Sequence, residues 1–352
     1  MLFNRIKKVL LQKNNNINYR IKYETFKKFY YLAMLSAIFF IIITPVCSQQ
    51  SAIKVTILGT AGPEYFPDLS GISTLIEANE QKFLFDGGHG TNEQLYKSRI
   101  NPKDINRIFL THLHSDHYNG LADVWLTPWF LLGRTNGIEL WGPDGTSEMV
   151  QGMRQMFAHD MNKRVDKYNL LKNLEITIHP LKDGVIYNQD GIKITAFPVE
   201  HSDGNPAFGF RFDYAGHSVV MSGDTTYHQN VVKYGTGADL LIHNVVAYND
   251  QLSKLPEMKE VMKKLATPEQ AAKVFLETKP KMALYSHIVT NGLGTKQGDK
   301  IIMARTRKAG YTGPLIMGID RMRILIGNEI KILPPQSLAN FPLLYSKEQI
   351  FP

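Results

Sequence analysis

Three histidines and an aspartate crowd into six positions of one run, Thr111-His112-Leu113-His114-Ser115-Asp116-His117. An interior has no use for four such groups together, because each needs its own partner once it leaves water. Neutral imidazole nitrogens and carboxylate oxygens are instead the donors that zinc and similar divalent metals take. Residues i and i+2 of an extended backbone point the same way. His112 and His114 can therefore grip one ion, while Asp116 and His117, on the turn that follows, grip a second. A polar loop that happens to be rich in histidine is the alternative.

The elements that must position these groups read as strands ending in polar turns. An apolar strand over 107–110 delivers the run itself. Residues 53–58 alternate and end in Gly59-Thr60-Ala61-Gly62, a turn that lacks the lysine and the helix of a phosphate-binding loop. Residues 73–78 and 82–85 form a hairpin closing on Asp86-Gly87-Gly88. An aspartate at such a strand end commonly accepts the second N–H of a ligating histidine. The strand over 192–199 delivers Glu200-His201-Ser202, which alone is weak evidence. A hairpin over 208–221 ends in Ser222-Gly223-Asp224-Thr225. The apolar strand 238–242 is followed by His243-Asn244. Thr267-Pro268-Glu269-Gln270 carries an N-cap, a proline at the first helical position and a glutamine three after the cap, so a helix runs to about Lys279. The strand over 281–285 then presents Ser286-His287, and short strands near 314–317, 322–326 and 330–333 finish the chain. The apolar stretch 121–132, with Trp125, Trp129 and Phe130, reads as core with one or two side chains free to line a pocket. Residues 146–171 have helical spacing, and His159 and His179 read as structural.

The H-x-H-x-D-H pattern after a hydrophobic strand resembles the signature of the metallo-β-lactamase superfamily of dinuclear metal hydrolases. The resemblance spans about residues 53–325 and is nearest the branch containing ribonuclease Z and secreted arylsulfatase-like enzymes. It implies an α/β fold, an αββα sandwich of two mixed β-sheets flanked by helices. It assigns His112, His114 and His201 to one metal, Asp116, His117 and His287 to the other, and Asp224 as the bridge. Two Zn2+ ions are the implied cofactor, although iron or manganese suits the same donors. Such a pair makes a shared water acidic enough to ionise near neutral pH. Asp116 would also orient that water, His243 is the second catalytic candidate, and Asp86 would orient a ligand.

Composition bounds the rest. With 43% hydrophobic and 20% charged residues the chain is globular, and its one cysteine, Cys47, excludes a disulfide framework and a thiolate metal site. The net charge of +8 invites a nucleic-acid reading, but residues 1–28 hold eight Lys/Arg and one acid. Residues 29–48 are uncharged, so only +1 remains from Gln49 onward. The basic balance belongs to the leader, which argues against nucleic acid as a partner without excluding it. The uncharged stretch 29–43 after Lys27-Lys28, with Val46 and Ser48 at a small-residue exit, reads as a secretory signal peptide or a membrane anchor. The expected organisation is therefore 1–48 leader, 49–335 hydrolase domain and 336–352 tail. The protein would be exported and touch membrane only through its leader, with a homodimer open.

The metal core serves sulfate esters, phosphodiesters and other esters alike. Ribonuclease Z enzymes carry a tRNA-gripping arm between the third histidine ligand and the bridging aspartate, yet His201 and Asp224 lie 23 positions apart here. The leaving-group histidine of that family falls at Leu265, and its acidic residue after His243 is Asn244. These departures favour an exported hydrolase of a small sulfate ester or phosphodiester. A ribonuclease Z-like tRNA 3′ endonuclease is second and a lactonase or β-lactamase third. A non-catalytic binding module is the reading from another class.

Overall fold

Odd and even positions of the long strands part company in the computed structural model, and that split builds the layers. It describes Lys28 and residues 51–338, apart from 167, 168, 250 and 257. The strands in chain order are β1 (Ile53–Gly59), β2 (Ser73–Ala78), β3 (Gln81–Phe85), β4 (Arg107–Phe109), β5 (Ile138–Gly142), β6 (Ile176–Pro180), β7 (Gly184–Gln189), β8 (Ile192–Val199), β9 (Ala207–Tyr214), β10 (His217–Met221), β11 (Leu240–Val246), β12 (Met282–Val289), β13 (Leu315–Met317), β14 (Met322–Ile326) and β15 (Ile330–Leu333). They form one sheet in the order β15-β14-β1-β2-β3-β4-β5-β6 and another in the order β13-β12-β11-β10-β9-β8-β7.

Ile53, Val55 and Ile57 of β1 meet Ile192, Ile194 and Ala196 of β8 in the core between the sheets, with Phe83, Phe109, Phe210 and Phe212 filling its centre. The other parity, Phe197 and Val199 of β8 and Leu241 and Val245 of β11, faces outward onto helices. Those helices are α4 (Gln229–Gly235), α5 (Pro268–Thr278) and α6 (Thr295–Lys308) on the second sheet. The first sheet is covered by α1 (Thr91–Lys97), α2 (Leu121–Leu132) and α3 (Thr146–Arg164). A strand apolar on both faces can bury both only between layers, and this one constraint yields helix, sheet, sheet, helix. The αββα sandwich expected from the resemblance is the fold.

Both sheets are mixed in the same way. Antiparallel pairing through β1, β2 and β3 becomes parallel at β4, and antiparallel pairing through β7 to β10 becomes parallel at β11. The loops leaving the carboxyl ends of β3, β4, β8 and β10 therefore gather at one edge of the sandwich, where α/β folds place ligands. Thr111 ties them together: its N–H donates to Asp86 at 2.8 Å and its carbonyl accepts from Phe208 of the second sheet at 2.9 Å.

Several boundaries differ from the sequence reading. The strand expected over 238–242 runs on as β11, so His243 and Asn244 sit inside it; two polar residues had masked its apolar continuation. The strand expected over 281–285 likewise continues as β12. Helix α3 stops at Arg164, short of the 171 expected. Trp125 and Trp129 are wholly buried among the α1–α3 core, away from the pocket that holds Asp224 and His287, Trp125 donating to the Leu174 carbonyl at 3.1 Å. The helix start at Thr267 has the expected capping box, and α5 ends with Lys279 as its C-cap.

By contact density the chain divides into Met1–Gln50 and Ser51–Pro352. The leader expectation for residues 1–48 lies outside the described residues apart from Lys28, as does most of the tail. Among the described residues no helix is long and apolar enough to cross a membrane.

Candidate metal centre

Four chain segments contribute to one cluster: the turn after β4, the ends of β8 and β10, and β12. Its centre is Asp224, on the loop after β10 and only 3% exposed. One carboxylate oxygen, Oδ2, lies 3.1 Å from His287 Nε2, 3.4 Å from His117 Nε2 and 3.6 Å from His201 Nε2. Asp116 Oδ2 stands 3.3 Å from His287 Nε2 and 3.7 Å from His117 Nε2. His201 Nε2 is 3.1 Å from His114 Nδ1, and the His112 ring lies 4.7 Å and 4.6 Å from the rings of His114 and His201. The donor atoms fall into three groups able to hold a cation: His112 with His114 and His201, Asp116 with His117 and His287, and His112 with His117 and Asp224. The first two are the two sets expected from the sequence, and the third contains the expected bridge.

The surrounding side chains fix which nitrogen of each ring faces inward. Asp86 accepts from Thr111 N–H and Thr111 Oγ1–H, and its Oδ2 lies 3.0 Å from His117 Nδ1. His117 therefore keeps Nε2 for the centre. Thr111 Oγ1, 3.0 Å from His112 Nδ1, can accept that N–H and leave His112 Nε2 inward. His201 Nδ1 donates to the Lys264 carbonyl at 2.8 Å. Asp203 faces Nε2 of His114 at 3.7 Å, leaving Nδ1 toward His201. Gly204 closes the group from below: a Cβ there would stand 2.1 Å from His201 Cδ2 and 2.9 Å from His114 Cε1.

His287 reaches the centre through a β-bulge. Tyr285 pairs with His243 and Ile288 with Val245, so Ser286 and His287 together oppose Asn244. The extra residue takes a left-handed backbone with φ of 47°, uncommon outside glycine but open to histidine. The bulge sets the imidazole of His287 with Nε2 3.1 Å from Asp224 Oδ2.

Two observations test the donor set against a metal. The Nε2 atoms of His112 and His117 are buried without a hydrogen-bond partner, a costly state unless something else binds them. Protonation points the same way. Burial, with the neighbouring His117 charge, holds His112 well below the usual histidine range, so its ring is a neutral donor. Burial opposes ionisation of Asp224, but His287 and His117 more than offset it and hold the carboxyl well below its usual range. Burial likewise opposes charge on His117, yet Asp224 and Asp86 raise it well above normal, so a cation would displace its proton. Burial also works against Asp116, which the His287 hydrogen bond and the His117 charge nevertheless hold ionised. The residues fit divalent metals of the zinc type.

His243, the other catalytic candidate, joins none of the three groups. Its ring is wholly buried 6.0 Å from Phe275, and its Nδ1 donates to the Asn244 carbonyl at 2.8 Å. Burial pushes it down to about 4. Asn244 bonds the carbonyls of Gly223 and Thr225 and accepts from Ala266 N–H, fixing the Asp224 loop. Leu265 is buried with Val246, Tyr248 and Val289. His159 is exposed on α3, and His179 stacks on Trp141 at 4.4 Å. Sequence reasoning missed Thr111, which stands at the head of the motif, and Lys264, whose main-chain contact leaves no trace in residue type.

A sandwich of this topology with a histidine triad and a histidine–carboxylate group on either side of one buried aspartate defines a class, the metallo-β-lactamase-fold hydrolases. A family model described as "Beta-lactamase superfamily domain" matches residues 81–288. The chain belongs to that superfamily. Among its relatives, a ribonuclease Z of Mycolicibacterium gilvum (strain PYR-GCK) is 31% identical over 281 residues, spanning 78% of this chain and 96% of the relative. Two solved structures share the fold. One is the metallo-β-lactamase fold protein YhfI from Bacillus subtilis, with a TM-score of 0.59 and 17% identity, covering 77% of this chain and 98% of that one. The other is human tRNase Z, short form, with a TM-score of 0.57 and 23% identity, covering 78% and 99%.

Proposed function

We propose that the protein is a metal-dependent phosphodiesterase of the ribonuclease Z type, cleaving RNA at the 3′ side of tRNA. The observation that carries this is the pair of donor groups meeting at Asp224 inside a chain that matches nearly the whole length of a ribonuclease Z. The match to the M. gilvum relative runs over 281 residues while taking in 78% of this chain, which leaves no room for a long arm in that relative. The single β9–β10 hairpin between His201 and Asp224 is therefore compatible with the reading.

His112, His114 and His201 would hold one cation, Asp116, His117 and His287 the other, with Asp224 between them. Two divalent cations, when bound, supply an acidic water and neutralise the oxygen that gains charge. The ionised Asp116, 17% exposed beside His287, is placed to accept a proton from the attacking water and aim it. Asp86, Thr111 and Lys264 hold the rings in the tautomers that keep their donor nitrogens inward.

A second reading is favoured by Leu265. A buried leucine cannot protonate a leaving group, and a general acid is worth roughly a hundred- to ten-thousand-fold. An exported hydrolase of aryl phosphodiesters or aryl sulfates, whose leaving groups need no proton, fits that residue. Incubating the zinc-loaded full chain with a tRNA precursor bearing a 3′ trailer, a bis-aryl phosphate and an aryl sulfate separates the two, with Asp116→Ala as control. Cleavage at the trailer junction, lost in the control, supports the endonuclease. Turnover of the small esters with intact precursor would sink it in favour of the second reading, which also requires the chain to fractionate outside the cytoplasm.

A further inference from the structure

Each ring of the two donor groups turns its outer nitrogen to a partner, except one. Asp86 faces that of His117, Thr111 that of His112, Lys264 that of His201 and Asp203 that of His114. His287 presents Nε2 to Asp224 at 3.1 Å and to Asp116 at 3.3 Å, so its outer nitrogen is Nδ1. That atom is buried and has no hydrogen-bond partner. A neutral imidazole that gives one nitrogen to a cation carries its hydrogen on the other, and a buried N–H seldom goes unpaired.

The segment covering this nitrogen is the turn after β1. A Cβ at Gly62 would stand 2.9 Å from Cε1 and 3.3 Å from Nδ1 of His287, so the turn lies directly on that edge of the ring. Both ends of the turn are fixed. The Thr60 carbonyl accepts from Ile288 N–H at 2.9 Å, while Asp320 takes Thr60 Oγ1–H at 2.8 Å and Ser70 N–H at 2.7 Å. Two residues past Gly62, Glu64 accepts from Thr290 N–H through Oε2 at 2.6 Å. A carboxylate is thus tied to the residue that follows β12, the strand carrying His287, and Oε1 is left for another donor.

The neighbours of Glu64 repeat the pattern. Tyr248 Oη and Thr290 Oγ1 are, like His287 Nδ1, closed off from water and without a partner. Burial raises the Glu64 carboxyl above its usual range, with the Thr290 hydrogen bond and the nearby His287 working against that rise. Burial also pushes the Tyr248 hydroxyl up to about 12, and the Glu64 charge adds to it. His287 and Tyr248 therefore both lie within electrostatic reach of one carboxylate. Atoms so enclosed are satisfied by a neighbouring side chain or by nothing.

We propose that Glu64 is the outer partner of His287, its carboxylate accepting the Nδ1–H while Nε2 serves the second metal. Oε2 keeps Thr290 and Oε1 turns to the ring. This rests on the two-cation reading of the centre. A carboxylate in that place fixes the ring and makes Nε2 a stronger donor. Glu64 acts through His287, so it is a positioning residue.

The test is zinc titration of the metal-free full chain against a chromophoric chelator, alongside Glu64→Gln and Glu64→Ala. The glutamine keeps an oxygen for Thr290 N–H and loses the charge, so it spares the turn. Glu64 is only half-buried, which places the expected loss near the lower end of the ten- to hundredfold range of outer partners. Affinity of the Asp116–His117–His287 group should fall about tenfold in Glu64→Gln and further in Glu64→Ala, with the first group unchanged. Nitrogen-15 spectra of histidine-labelled, zinc-loaded protein supply a second readout. The Nδ1–H resonance of His287 should shift in Glu64→Gln, which anchoring of the turn alone would not cause. Unchanged second-group affinity in both variants overturns the proposal. So does a parallel fall in both groups with a lower melting temperature, which would make Glu64 an anchor of the turn. An unaltered chain that binds a single zinc removes the two-cation reading, and the proposal with it.

Discussion

Lys264 supports His201 through its main chain: the lysine carbonyl accepts the imidazole Nδ1–H at 2.8 Å. Its ammonium meanwhile holds Asp203 at 2.7 Å, and the other oxygen of Asp203 faces His114 Nε2 at 3.7 Å. One residue from a surface segment thus steadies two of the three rings in the first donor group. Lys264→Met keeps the carbonyl and removes the ammonium. Zinc affinity at that group should fall by roughly three- to tenfold, less than the ten- to hundredfold of buried outer partners because Asp203 is exposed. Lys264→Arg should restore it. Competition against a chromophoric chelator measures both, and an unchanged first-site affinity in Lys264→Met would remove the ammonium from the account.

Asp86→Asn should act on the second group. The amide matches the carboxylate in shape but keeps only one acceptor oxygen, whereas Thr111 N–H uses Oδ1 and His117 Nδ1 faces Oδ2, so one of the two meets an N–H instead. We expect affinity for the Asp116–His117–His287 group to drop about ten- to hundredfold, with the first group retained. A metal-to-protein ratio falling from two toward one after dialysis is the readout. A ratio that stays at two would mean that His117 does not need Asp86.

At Gly204 the constraint is space. The added methyl of Gly204→Ala would overlap His201 and crowd His114, and relieving such overpacking costs about 1–3 kcal/mol. The cheapest relief is rotation of the two rings, so metal binding should suffer more than the melting temperature. Spectroscopy of a cobalt-substituted protein would report the altered first group. An unaltered spectrum would place the relief in the backbone.

The pH dependence follows from His243. Its folded pKa of about 4 lies below the unfolded value of 6.5, so between the two the unfolded chain binds the extra proton. Its contribution is fully present above pH 6.5 and is lost as pH falls toward 4. A gap of that size corresponds to about 3 kcal/mol. His243→Gln, which carries no charge at any pH, should lose correspondingly less stability between pH 7 and 4.5 in denaturant titrations of the metal-free chain. Parallel curves for the two proteins would mean that His243 ionises in the fold.

Much of this was legible in residue order. The run His112 to His117 announces itself because its groups are adjacent, Asp224 and His201 follow apolar strands, and His287 stands on an apolar stretch that the structure continues through it as β12. The capping box at Thr267 is a local device and reads locally. His243 stands within β11 and not at its end, its ring wholly buried beside Phe275 yet on the wall of the pocket that also holds His117, Asp224 and His287.

What the sequence by itself determined is the donor chemistry and the alternation of strands that forces a layered sandwich, since both depend on residue type and near neighbours. Only the tertiary structure decided how the donors divide between two groups, which nitrogen each ring turns inward, and that a main-chain carbonyl at Lys264 and a bulge at His287 set two of them. Those choices depend on contacts between residues as far apart as Asp116 and His287, where side-chain identity is silent and only the crossing of two sheets fixes the distance.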